Sequence, residues 1–275
     1  MEQQKTLVHV IKFSRIQSPS SINTFRQCPR KYYYQYIQRL PTTSSIHLVR
    51  GNIVHGALEE FFSLDLAPAV NDGFALKTIL LEFFKNNWRS KEKEISKFKL
   101  SEEAIKFYYE ESISMLEVWF DNFNTKLSIL ARTHGINQAF KMLTPRVEEE
   151  YLSTKLGVRG FIDAIHEFND KTTILDYKTS SKDTVNPEYK LQMAIYALLY
   201  LEKHGKLPDN LVINFLKFGE KFIEVNDELI ELAKNEIKNV HEKTITMSIN
   251  DYPKNITPLC KWSNGQCDFY NLCFK

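Results

Sequence analysis

Cysteine is scarce in this chain, with four residues among 275 and none between Cys28 and Cys260. A small secreted domain held by disulfides needs many more, so a disulfide scaffold is excluded. Charge of one sign is also lacking, because 36 basic and 34 acidic residues leave a net +2. A nucleic-acid surface would therefore have to be a local patch rather than a global field. No apolar run approaches the roughly 18 residues that cross a bilayer. The polar start at residues 1–6 has no signal-peptide core. No membrane partner is expected, and the chain reads as intracellular and cytoplasmic, in a prokaryotic or viral setting.

What is present suits a globular protein: 43% hydrophobic and 25% charged residues can bury a core. Thirteen tyrosines and nineteen phenylalanines could stack on bases, although aromatics at helical spacing are mostly core. The informative stretch is Gly160 to Lys178, GFIDAIHEFNDKTTILDYK. Two apolar runs, Phe161–Ile165 and Thr172–Leu175, flank the polar segment His166–Lys171, which predicts a β-hairpin turning on Asn169 and Asp170. Asp163 interrupts the first run, and Asp176 and Lys178 end the second, sharing one face with Tyr177 turned away. Two acids on neighbouring strands with a lysine beside them suit a hard cation, magnesium or manganese, and an attacking water. Lys178 could release a proton, orient the water or stabilise charge on phosphate.

The order of further motifs extends this pattern. Ser18–Ser21 opens an amphipathic helix capped by Ser20 or Ser21, and Pro29, after Cys28, starts a second segment or kinks the first. Arg50–Phe62 predicts a helix carrying Gly51, His55 and Glu59. Residues 72–142 predict helices such as Phe74–Trp88 and Ser101–Lys126, a helical insertion with no visible chemistry. Glu148, Glu149 and Glu150 precede a strand expected over Tyr151–Val158, and the pattern does not choose among the three. Pro187 starts a helix that Gly205 ends, with Gln192 and Tyr196 on one face. A strand at Leu211–Phe218 and a helix at Asp227–Thr244 follow.

G-F-I-D followed by I-L-D-Y-K-T resembles the PD-(D/E)XK nuclease superfamily in its RecB-like exonuclease branch, and so do G-x-x-x-H at Gly51–His55 and Q-x-x-x-Y at Gln192–Tyr196. The resemblance implies an α/β fold with a restriction-endonuclease-like core, a mixed central sheet flanked by helices, plus the helical insertion and a C-terminal cysteine cluster. It implies one nuclease domain over 1–275, made of N-terminal helices (15–65), the insertion (72–142), a catalytic core (146–220) and a C-terminal helix and tail (226–275). His55, Asp163, Asp176 and the Tyr177 carbonyl would hold one or two divalent ions. Lys178 would assist the water, while Gln192 and Tyr196 would contact DNA or support the site.

Cys260, Cys267 and Cys273 crowd into the last sixteen residues. With Cys28-Pro29 and Ser21 they resemble the one-plus-three arrangement of AddB-type and CRISPR-associated RecB-type exonucleases, which implies an iron-sulfur cluster. Six residues separate Cys260 from Cys267, where that family generally has two, and a spacer containing Ser263, Asn264 and Gly265 could loop out. Zinc on four thiolates, or four unligated thiols, remain alternatives.

The resulting expectation is a metal-dependent DNA exonuclease acting on single-stranded DNA or duplex ends, in recombination, repair, viral replication or CRISPR adaptation. The alternatives are a structure-specific endonuclease of the same fold and a non-catalytic DNA-binding scaffold. Protein partners and oligomeric state carry no sequence signal.

Overall fold

A computed structural model describes residues 13–66, 73–263 and 265–274. The polar start at 1–6, the Asp72 boundary of the insertion and Asn264 of the tail spacer lie outside the described residues. Helices α1 (Pro19–Gln27) and α2 (Pro29–Tyr32) come first, α2 widening into a π turn over Tyr33–Ile37. Ser18, rather than Ser20 or Ser21, caps α1, and the Ser21 hydroxyl completes the capping box by accepting from the Ser18 amide. Pro29 opens α2, where its missing N–H costs nothing. Helix α3 (Ile46–Phe62) begins four residues before the predicted start because Ser45 accepts from the Leu48 amide.

The insertion folds as α4 (Gly73–Ile95), α5 (Glu102–His134) and α6 (Ile136–Leu143), with Ser101 capping α5. Both long helices outrun their predicted ends, since a charged solvent face does not stop a helix whose other face stays buried.

Strands β1 (Arg146–Ser153), β2 (Val158–Phe168), β3 (Lys171–Lys178), β4 (Asn210–Phe215) and β5 (Gly219–Ile223) form one sheet in that spatial order. Only β3 and β4 run parallel. Parallel neighbours need a long crossover, supplied here by α7 (Pro187–His204) between them. The chain then forms α8 (Asp227–Lys243), a small hairpin of β6 (Lys261–Trp262) and β7 (Gly265–Gln266), and α9 (Tyr270–Cys273). This is the mixed sheet flanked by helices that the resemblance implies.

Expected strand boundaries move, and the strand expected over Leu211–Phe218 already ends at Phe215. The predicted strand Tyr151–Val158 is split, its front ending β1 and Val158 opening β2. The polar segment His166–Lys171 is mostly strand, and the turn shrinks to Asn169 and Asp170 with φ of 51° and 60°. Positive φ at both central residues suits the right-handed twist of the strands, and Asn and Asp tolerate it better than most residues. Strand β5 had no counterpart in the sequence reading.

The sheet divides two apolar cores. On one side α1, α7 and α8 pack on Ile162, Ile174 and Ile213; on the other α3 to α6 pack on Ala164 and Tyr177. Phe61, fully buried in the second core, lies 5.4–6.0 Å from the rings of Trp119, Phe120, Phe123 and Phe140. Phe61→Ala should destabilise the protein by about 3–5 kcal/mol in urea unfolding, the usual cost of emptying a packed aromatic site. A loss below about 1 kcal/mol would show that this core is not close-packed.

Candidate active site

The site begins in the hairpin register. Ala164 pairs with Leu175, so the next step along both strands sets Asp163 opposite Asp176. The backbone ladder stops there, and the Tyr177 amide donates to the Asp163 carboxylate at 2.8 Å. Side-chain alternation slips at this point too: Ile162 and Ile165, three residues apart, both pack in the α7-side core. Opposite Asp163 on β1, Glu148 has a φ of 50°, uncommon for a residue with a Cβ and a form of local strain concentrated at functional positions.

Helix α3 lies across these strand ends. His55 Nε2 sits 2.9 Å from the Tyr177 carbonyl, and since a carbonyl only accepts, Nε2 carries the proton. Nδ1 is then a bare acceptor, 3.4 Å from Asp163 Oδ2. Donor atoms of His55, Glu148 and Asp163 all lie within 4.8 Å of one another. Glu59, one turn beyond His55, is exposed at the rim of the same small cleft.

Electrostatics sharpen the picture. Burial, reinforced by the Asp176 charge, pushes the Asp163 pKa well above its usual range, against the opposing pull of Lys178 and the Tyr177 amide. Burial also raises Glu148, with Glu59 and Asp176 adding to it. For His55, burial outweighs the attraction of Asp176 and lowers the pKa, favouring the neutral ring. Raised carboxyl pKa values are what acids crowded together away from water show, and a bound cation would offset the repulsion behind them.

Asp176 is 1% exposed; its Oδ1 has no partner and its Oδ2 meets only the Lys178 ammonium at 2.5 Å, outside hydrogen-bond geometry. Burial alone would lower the Lys178 pKa, but Asp176 and Asp163 more than offset it and hold it above the usual value. Its Nζ donates to Gln192 Oε1 at 3.0 Å, and Gln192 Nε2 donates to the Tyr196 hydroxyl at 2.8 Å. The α7 pair thus lies behind the lysine. Gly160 lets the Tyr196 ring lie close on β2, since a Cβ there would sit 2.8 Å from it.

His55, Glu148 and Asp163 come together, a donor set of carboxylates and imidazole that fits a divalent ion, while Asp176, opposite Asp163 and against Lys178, stands outside that group and the Tyr177 carbonyl is taken up by His55 Nε2. Glu148, one of three glutamates the sequence could not separate, is the one that joins them; Glu149 pairs with Arg146 and Glu150 with Arg159. Only its unusual backbone angle and strand register distinguish it.

The cysteines form a separate region. All four line one cavity of about 530 Å³. No three of their sulfurs lie within 4.8 Å of one another. A zinc tetrahedron with bonds of about 2.3 Å needs sulfurs about 3.8 Å apart, so the zinc alternative is not preformed. Hydrogen bonds tie the first two helices to the tail beside this cavity: Arg30 donates to the Tyr252 carbonyl at 2.7 Å and Asn255 to the Gln27 carbonyl at 2.8 Å.

A mixed sheet between helical layers, carrying two acids and a lysine at its strand ends, defines a restriction-endonuclease-like nuclease. The chain belongs to the PD-(D/E)XK nuclease superfamily, whose family model matches residues 17–274. No curated protein sequence matches it. Among solved structures it is similar to a candidate exonuclease from Eubacterium rectale, with a TM-score of 0.48 and 14% identity over 94% of this chain and 93% of that one.

The raised Asp163 pKa carries a sign. Its folded value exceeds its unfolded one, so without an ion the carboxyl stabilises the fold more as pH falls, and ionisation weakens the fold as pH rises through the folded value. Asp163→Asn keeps an acceptor for the Tyr177 amide and removes the charge. In chelator at neutral pH it should melt higher than the parent chain, while losing any stabilisation by added manganese. A lower melting temperature in chelator would contradict the buried-charge assignment.

Proposed function

We propose that this nuclease is a divalent-cation-dependent DNA exonuclease acting on single-stranded DNA or duplex ends. The observation that supports cation dependence is the convergence of His55, Glu148 and Asp163, with Asp176 opposite Asp163 on the adjacent strand and Lys178 against it. His55 through Nδ1, together with Asp163 and Asp176, would hold magnesium or manganese, with Glu148 beside them; the Tyr177 carbonyl, expected as a further ligand, is engaged by the His55 Nε2 proton. When bound, such an ion supplies a more acidic water and offsets charge on the phosphate.

The chain's own residues do the rest. The Tyr177 amide fixes the Asp163 carboxylate, and the Tyr177 carbonyl fixes the His55 ring tautomer. Lys178 would assist the attacking water, by releasing a proton or orienting it, or stabilise the charged phosphate. Gln192 accepts from Lys178 and is itself set by Tyr196, so this pair positions the lysine.

The four cysteines we assign to an iron-sulfur cluster. In support, all four line one cavity. The cluster would be structural, adding to the polar ties between the chain ends.

Lys178→Ala should lower cleavage of labelled single-stranded DNA in manganese by about 10²–10³-fold, the scale lost with one preorganised charge-stabilising donor. Absence of cleavage by the parent chain in every divalent metal would overturn the enzyme assignment. A circular single strand separates the modes: an end-dependent enzyme leaves it intact, and cleavage assigns an endonuclease instead. Anaerobically purified protein should be brown and contain iron and acid-labile sulfide, and colourless protein without either would refute the cluster.

A further inference from the structure

Glu111 lies on α5, inside the insertion where the sequence shows no chemistry, yet its side chain is only 11% exposed. Its Oε2 meets the Arg50 guanidinium and its Oε1 the Lys217 ammonium. Arg50 is 3% exposed and stands five residues before His55 on α3. Its Nη2 donates to the Thr179 carbonyl at 2.8 Å, and Thr179 follows Lys178 directly. Lys217 stands two residues beyond Phe215, the β4 partner of Lys178. One carboxylate thus joins the helix of His55 to the ends of both parallel strands.

Tyr108, nearly one turn before Glu111, sets its ring 5.3 Å from the Arg50 guanidinium and shields it. Burial pushes the Glu111 carboxyl upward, but the two cations pull it below its usual range, so it stays ionised at neutral pH.

We propose that Glu111 is a positioning residue, which through Arg50 and Lys217 clamps α3 onto the ends of β3 and β4 and so holds His55 against the Tyr177 carbonyl and Asp163. The proposal rests on the assignment of His55 and Asp163 as cation ligands for its catalytic consequence, but the clamp itself does not depend on an ion. Lys217 is about one-third exposed and can turn to water if Glu111 is lost. Arg50 cannot, and its Nε already has no partner. An unpaired buried guanidinium relaxes by moving toward solvent, and the start of α3 moves with it. A shift of about 1 Å at a reacting site costs on the order of 10²-fold in rate.

The test uses the full chain with Glu111→Gln, which keeps the shape and removes the charge, and Glu111→Asp as the conservative partner. The first readout is the long-range proton–nitrogen spectrum of the His55 ring in metal-free protein, where the parent chain should give one Nε2-protonated form. Glu111→Gln should lose that single form, bind manganese at least about tenfold more weakly by electron paramagnetic resonance, and lower kcat about 10–100-fold with little change in KM. Glu111→Asp should recover part of each effect and serves as the folded variant if Gln does not fold. An unchanged His55 spectrum with manganese affinity within twofold of the parent, even at a lower melting temperature, would reduce Glu111 to a structural role and overturn the proposal. A parent chain with the expected His55 form and no cleavage would overturn the nuclease mode alone and leave the clamp standing.

Discussion

Two carboxylates set opposite each other in neighbouring central strands, with a third arriving from β1, are the constraint around which this molecule is organised. Like charges brought together away from water repel strongly, because little solvent is left to screen them. The protein offers them one backbone amide, one lysine and a neutral imidazole whose free nitrogen is itself an acceptor. Those partners leave Asp176 with an unmatched oxygen, and a bound divalent ion is the proposed remedy.

The surrounding architecture follows from holding that arrangement still. A two-residue turn sets the hairpin register and thereby the pairing of the two aspartates. Helix α7, demanded by the parallel pair, brings Gln192 and Tyr196 under the lysine; α3, packed from the other side, brings His55. The insertion braces α3 through an aromatic core and a buried ion-pair cluster, while the tail ties back to α1 and α2. The strained backbone at Glu148 is the local cost of aiming that side chain at Asp163.

Much of this was legible in the residues. Two apolar runs around a polar segment with the Asn–Asp pair marked the hairpin, and an acid inside an apolar run marked the candidate site. Helix starts were misplaced where several serines could cap equally well, as at Ser18–Ser21. Strand β5 was invisible because two charges and an exposed phenylalanine over five residues read as loop. Among three consecutive glutamates, composition carries no preference, and register singles out Glu148. Glu111 looks like any acid on a charged helix until Arg50 and Lys217 arrive from distant segments. Cysteine spacing implied a cluster, yet the four thiols only line one cavity, with no three sulfurs within 4.8 Å of one another, because spacing says nothing of how far apart the sulfurs lie.

The decisive measurement is a crystal structure of the protein soaked in manganese, with anomalous scattering recorded near the manganese edge. A peak coordinated jointly by His55, Asp163 and Asp176 is the predicted result. Manganese bound only elsewhere, or these side chains turned away from a common point in an ion-free map, would contradict it.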